Sequence, residues 1–257
     1  MKPSHNDSKF TVDGEGRFNT AFTLVELLTV IAIIGILAAL LLPVLSAVKK
    51  SAQKAKAQTE MQGLTTAIQA YDSAYGRFPV SPAAQAAANP DFTYGGIYQT
   101  PSGGPWPSSP IPANYQTNNS DVIAILMDLT NYPGGGPTVN TNYQKNPQQT
   151  IFLTAKTSGD TSSPGVGNDL VYRDPWGNPY VITMDLNYND FCVDAFYRKD
   201  AVSNTGLFGL IQDTSVTGPD NWAYRGKVMV WSAGPDGLID PNNGSGSANK
   251  DNVLTWK

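Results

Sequence analysis

Ala21-Phe22-Thr23-Leu24-Val25-Glu26-Leu27-Leu28, continued to Val48 by TVIAIIGILAALLLPVLSAV, is the stretch that decides the fold. From Leu27 to Val48 there are 22 residues without a charge. As a helix rising ~1.5 Å per residue they span ~33 Å, about one bilayer core. The acid Glu26 stands at the entrance. A carboxylate in such a helix costs ~2.5–3.5 kcal/mol at the bilayer centre and less near its end, so its presence implies a partner cation. Two ordinary readings compete: a secretory signal cut after Leu45-Ser46-Ala47, and an anchor that tethers a soluble domain. The first requires an unusually long apolar region with Glu26 near its start. Pro43 removes a backbone donor and predicts a kink or a loosened ladder, and Gly35 with Ala39 offers a small-residue contact face.

Beyond Lys49-Lys50 the helical pattern persists, with Met61, Leu64, Ile68, Tyr71 and Tyr75 recurring at steps of three and four. That spacing makes one apolar face, and Gly76 and Pro79 supply stop signals. A helix from Phe22 to Tyr75 therefore divides into an apolar half and an amphipathic half. Loop charge gives little orientation: residues 1–21 hold Lys2, Lys9 and Arg17 against Asp7, Asp13 and Glu15, while Lys49, Lys50, Lys54 and Lys56 lie on the other side.

Composition narrows the chemistry. Removing residues 1–21 takes three bases and three acids, so the net charge of −4 is unchanged and nucleic acid is not an expected partner. Cys192 is the single cysteine, which excludes an internal disulfide, and His5 is the single histidine. Without imidazole in the rest of the chain, a Ser/His/Asp triad, a Cys/His pair and a usual zinc site all lack a member.

Residues 80–119 are rich in Pro, Gly, Ser, Asn and Gln and read as an irregular excursion; Tyr94, Tyr98, Trp106 and Tyr115 either anchor it or meet a partner. Ser120-Asp121 caps a short helix near 121–130 with Val122, Ile125, Leu126 and Leu129 on one side. From Ile151 the pattern becomes β. IFLT, the two arms around the turn Asp174-Pro175-Trp176-Gly177-Asn178-Pro179, FCVDAFY and KVMVWSA predict an antiparallel sheet that the amphipathic half-helix covers. Asp185-Leu186-Asn187-Tyr188-Asn189-Asp190 opens like a calcium loop but has Asp190 where Gly belongs and Phe196 where Glu belongs, and it reads as a hairpin turn.

The segment Ala21–Leu28 resembles the cleavage and methylation motif of type IV pilin-like precursors. Arg173-Asp174-Pro175-Trp176-Gly177-Asn178-Pro179-Tyr180 and Trp231-Ser232-Ala233-Gly234-Pro235-Asp236-Gly237 resemble the head of the major pseudopilin of type II secretion. The resemblance implies an α+β pilin-like fold: a long N-terminal helix, half membrane-spanning and half amphipathic, packed on a small antiparallel β-sheet head. It implies a leader at 1–21, a transmembrane or filament-core helix at 22–48, an amphipathic half at 49–79, an irregular insertion at 80–150 and a β-sheet head with a carboxy-terminal loop at 151–257.

The resemblance further implies cleavage by a prepilin peptidase between Ala21 and Phe22, where the family usually has Gly before the cut, and N-methylation of Phe22. Glu26 would pair with the new amine of a neighbouring copy. In the pseudopilin family a calcium ion pins the carboxy-terminal loop, and Ser232, Asp236, Asp240 and Asp251 are the oxygen ligands this chain offers. Implied partners are copies of itself, minor pseudopilins, the peptidase and an inner-membrane assembly platform, with a single pass in the bacterial inner membrane and the head in the periplasm. A surface type IV pilus subunit for adhesion, motility or DNA uptake is the nearest alternative. A tethered surface module that captures polymers through its aromatic loop is a second, and an enzyme using Asp174 with Asp185 a third.

Intact-mass analysis or Edman sequencing of native protein should give a chain that starts at methylated Phe22. A start at Met1 or at Val48 would exclude the precursor reading.

Overall fold

The computed structural model describes residues 23–205, 208–214 and 216–257, without the side chain of residue 43; the expected cut between Ala21 and Phe22 lies outside the described residues. The chain divides into two units, residues 1–47 and 48–257.

In the first unit the described residues are the start of α1 (Leu24–Tyr75), which is helical through position 43 with no break. The residues described there are exposed on every side, Leu24 at 79% and Leu42 at 67%. Among the described residues α1 is the one helix long and apolar enough to cross a membrane.

In the second unit Ala57, Met61, Leu64, Ile68 and Tyr71 are buried, steps of four and three that put them on one stripe of α1. Burying each of the larger ones contributes ~1.5–3 kcal/mol. Polar ties run along the same helix: Gln53 Nε2 donates to Pro175 O at 3.2 Å, Tyr180 OH to Glu60 Oε2 at 2.6 Å, and Lys227 pairs with Asp72 at 3.1 Å. The helix stops at Gly76, whose φ of +63° is open to a residue without Cβ and whose N–H closes onto Asp72 O at 2.7 Å.

The chain then forms α2 (Pro82–Ala87), β1 (Phe92–Tyr94), β2 (Tyr98–Gln99), β3 (Pro105–Trp106), β4 (Tyr115–Gln116) and α3 (Ser120–Leu126). After a short 3-10 turn come β5 (Gly165–Val166), β6 (Tyr172–Arg173), β7 (Val181–Met184), β8 (Phe191–Cys192), α4 (Asp200–Ser203) and β9 (Ile211–Gln212). The rest is β10 (Trp222–Arg225), β11 (Val228–Ser232), α5 (Ser247–Lys250) and β12 (Val253–Leu254).

The main sheet runs β12-β11-β7-β1-β4, antiparallel except for the parallel β1–β4 pair. Ile182 on β7 stands opposite Tyr94 on one side and Val230 on the other. Because successive side chains point to opposite faces, the strands feed two apolar layers. Phe92, Tyr94, Ile182, Met184, Val228 and Val230 pack in the layer that α1 supplies with Met61, Leu64, Ile68 and Tyr71. Val181, Met229 and Trp231 pack on the far side with Cys192, Phe196, Tyr197 and Val202. A sheet buried on both faces explains why KVMVW and YVITM read as nearly continuous apolar runs.

Four expectations need correction. IFLT is not a strand: the Phe152 and Leu153 N–H groups both bond to Leu126 O, at 2.8 and 3.0 Å, so the segment caps the end of α3 and leaves the ladder. FCVDAFY keeps its strand only at Phe191–Cys192, because Asp194 bends the chain by accepting from the Phe196 and Tyr197 N–H groups, both at 2.9 Å. The excursion at 80–150 is no insertion outside the head. It contributes β1 and β4 to the main sheet, and Val122 to Leu126 of α3 are all fully buried, where one apolar side had been expected. Ser120-Asp121 is not the cap either. Asn119 precedes α3, and its amide instead spans the β6–β7 hairpin, donating to Tyr172 O and Tyr180 O and accepting from Tyr172 N–H.

Buried aspartates hold the loops. Asp91 accepts from Leu186 N–H at 2.9 Å and Val193 N–H at 2.8 Å. Asp194 takes the Thr183 hydroxyl at 2.7 Å and Trp231 Nε1 at 3.2 Å in addition to its turn. Losing one such partner strands buried N–H groups at ~1–3 kcal/mol each.

Burial pushes the Asp91 carboxyl up to about 7 against the pull of its N–H donors. Burial likewise raises Asp174, Asp185 and Asp194. An aspartate in the unfolded chain titrates near ~3.9, so the folded state takes up this proton first as pH falls. The stability linked to Asp91 is full below that value and is lost as pH rises through about 7. A fragment of residues 48–257 should therefore melt higher at about pH 5 than at about pH 8, and Asp91→Asn, neutral throughout, should shallow that fall. A flat profile would mean that the N–H donors keep these carboxylates charged.

Candidate functional site

The first turn of α1 is closed by a reciprocal cap. Thr23 N–H donates to Glu26 Oε2 at 2.9 Å, the Thr23 hydroxyl donates to the same oxygen at 2.7 Å, and Glu26 N–H returns a bond to Thr23 Oγ1 at 3.2 Å. The T-x-x-E spacing is a capping box, in which residue and backbone satisfy two donors that the helix leaves open. The Thr29 hydroxyl adds a bond to Glu26 O at 2.9 Å. In hydrocarbon no water can serve those donors, so a carboxylate here has a local task as well as an intermolecular one. It also carries the sign that the positive end of a helix favours. The spacing signalled this role for Thr23, which the sequence reading had passed over.

The carboxy-terminal loop does not gather its four expected ligands. Ser232 is fully buried and its hydroxyl donates to Asp174 Oδ2 at 2.6 Å, while Asp174 also accepts from the Trp176 and Asn178 N–H groups, both at 2.9 Å. The turn is tight because Gly177 takes φ +98°. Ser232 is thereby committed to the hairpin that opens β7. Asp240 belongs to another turn: its Oδ1 accepts from Asn242 N–H at 3.0 Å, and Asn249 bonds both its N–H and its carbonyl at 2.9 Å.

Asp236, whose Oδ1 accepts from Leu238 N–H at 2.9 Å, and Asp251 remain. Burial, and then the Asp236 charge, raise the Asp251 carboxyl, whose Oδ1 is buried without a hydrogen-bond partner. Gly234, at φ +73°, lies against Asp251, where a Cβ would stand 2.9 Å from its carbonyl carbon. No group of three or more His, Cys, Asp or Glu side chains forms a metal cluster among the described residues. Two carboxylates fall short of the six to eight oxygens that calcium takes, so carbonyls and water must complete any such site.

The other candidates resolve into structure. Tyr94, Tyr98, Trp106 and Tyr115 are buried, with Tyr98 stacked on Trp231 and Trp106 edge-on to Tyr115 and Phe196, so they anchor the excursion and are withdrawn from any partner surface. Cys192 is fully buried and burial pushes its thiol well up, the state of a packed side chain and not of a nucleophile. Asp185 accepts from the Asn189 and Asp190 N–H groups in the β7–β8 turn, while Asp174 serves the turn before β7. The two stand at opposite ends of that strand and do not form a pair.

The family described as the prokaryotic N-terminal methylation motif matches residues 17–42. The matched stretch contains Ala21, Phe22, Thr23, Glu26 and most of the apolar run, and it fits a single-pass inner-membrane anchor. Comparison with curated proteins and with solved structures gives no significant match.

Proposed function

Because the chain is a type IV pilin-like precursor, with the implied peptidase processing and self-assembly, we propose that its mature form is a structural subunit of a type II secretion pseudopilus. The head would lie in the periplasm and the filament would support protein export. The observation that carries the reading is the single carboxylate, Glu26, at the mouth of an apolar helix. Processing between Ala21 and Phe22 creates an α-amino cation four residues before it. In the membrane Glu26 serves its own helix start through Thr23; in a filament it would leave that box for the Phe22 amine of the next copy.

Magnitudes favour the exchange. A helix cap is worth ~0.5–2 kcal/mol, whereas leaving a buried charge without its partner costs ~3–5 kcal/mol. Pairing therefore rewards one axial register. Minor pseudopilins and an inner-membrane platform are the further partners, and the chain has no phosphate-binding motif with which to drive assembly itself. A surface type IV pilus is the alternative. The lone Cys192 favours the pseudopilus, since many surface pilins close the carboxy-terminal loop with a disulfide.

Glu26→Gln separates the two tasks, because glutamine still caps a helix but carries no charge. Membrane insertion should persist while filament yield falls at least ~10-fold, the loss expected from ~1.4 kcal/mol or more per subunit contact. Thr23→Val, which removes the hydroxyl bonds of the box and keeps the charge, should still assemble. Wild-type filament yield from Glu26→Gln would end the pairing mechanism.

Calcium belongs to the same proposal, now at Asp236 and Asp251 with carbonyl and water oxygens, where the orphaned Asp251 Oδ1 supports it. Chelation should lower the melting temperature of the 48–257 fragment, and Asp251→Asn should abolish that response. Indifference to both would remove the metal while leaving the assembly reading intact.

A further inference from the structure

A cavity of about 360 Å³ opens beside α1 in the second unit, bordered by Asn249 and β12 and next to Asp251. Three lysines from separate parts of the chain line it: Lys54 on α1, Lys250 on α5 and Lys257. In a chain of net charge −4 that convergence runs against composition. Among the described residues neither Lys54 nor Lys250 forms an ion pair within 4.0 Å. Lys54 is close enough to pull the Asp251 carboxyl down, which offsets part of the excess, and the Lys257 ammonium lies 5.5 Å from the centre of the Phe208 ring.

Asn252 also lines the cavity, with its side-chain acceptor withdrawn behind the wall. Asn252 is 8% exposed; its Nδ2 donates to Tyr197 OH at 2.8 Å, but its Oδ1 is buried with no partner. An acceptor left so costs ~1–3 kcal/mol. The accessible lining thus calls for an anionic ligand.

Position along the chain narrows the source. Lys54 is six residues beyond Val48, where the apolar run ends, or ~9 Å of helix. Headgroups extend ~5–8 Å past the hydrocarbon on each side, and a lysine stem reaches back toward them. We propose that the cavity receives the phosphate headgroup of an anionic membrane lipid, held between Lys54 and Lys250. The proposal rests on residues 27–48 spanning a bilayer and holds whether the filament is a pseudopilus or a surface pilus.

The test is native mass spectrometry of the full chain released from nanodiscs of phosphatidylcholine containing a minority of phosphatidylglycerol. Phosphatidylglycerol should be retained at least ~10-fold over its share, and Lys54→Gln with Lys250→Gln should remove that preference, since each lysine near an anionic surface is worth ~5-fold. Lys49→Gln with Lys50→Gln, on the same helix but outside the cavity, should keep most of it. Equal loss in the two double variants would reduce the effect to general surface charge and overturn the site. Binding of free glycerol phosphate to the full chain as tightly as the lipid would overturn the membrane source. Failure of the chain to enter the disc would remove the anchor itself, and this proposal with it.

Discussion

A carboxylate at the entrance to an apolar helix is the constraint from which the rest follows. Glu26 is followed by 22 residues that offer it no cation, so its charge must be met by the start of its own helix or by another molecule. The reciprocal bonds with Thr23 provide the first solution inside one chain. They close the helix start that hydrocarbon would otherwise leave unsatisfied, and they do so weakly enough for a full opposite charge to displace them. The residue that closes its own helix start is thus also the one proposed to pair with a neighbouring copy.

The head solves a different problem with the same side-chain chemistry. With Cys192 fully buried and alone, no covalent link holds its long connections. Carboxylates take that role: Asp91 joins segments about a hundred residues apart, Asp174 ties the β6–β7 hairpin to Ser232, and Asp194 locks a turn against Thr183 and Trp231. Each is surrounded by N–H and O–H donors, which is what permits an acid in a core. Removing such groups from water has a price in proton affinity, and burial raises all of these carboxyls.

What could be read from the sequence was whatever local periodicity or local chemistry specified. The stripe Met61, Leu64, Ile68 and Tyr71, the stop at Gly76, the Asp174–Pro179 turn and the strand at Val228–Ser232 all announce themselves within a few residues. The failures come from long-range partners. Phe92–Tyr94 is three residues in a Pro- and Gly-rich stretch and becomes a central strand only because β7 lies beside it. IFLT has the composition of a strand but meets the end of α3 first. Ser232 and Asp240 look like ligands in a linear loop, yet Asp174 and Asn249 claim them from elsewhere in the fold. The Thr23–Glu26 box was legible by spacing and was hidden by attention to the charge.

The main sheet ends on one side at β12 and on the other at β4, and each of those strands has two residues. So short an edge leaves little unpaired backbone for a second molecule to extend, and the two apolar faces are already covered. The main sheet thus offers little template for strand-to-strand stacking of the amyloid kind. Contacts between copies of this chain would therefore have to use surfaces other than the edges of the main sheet.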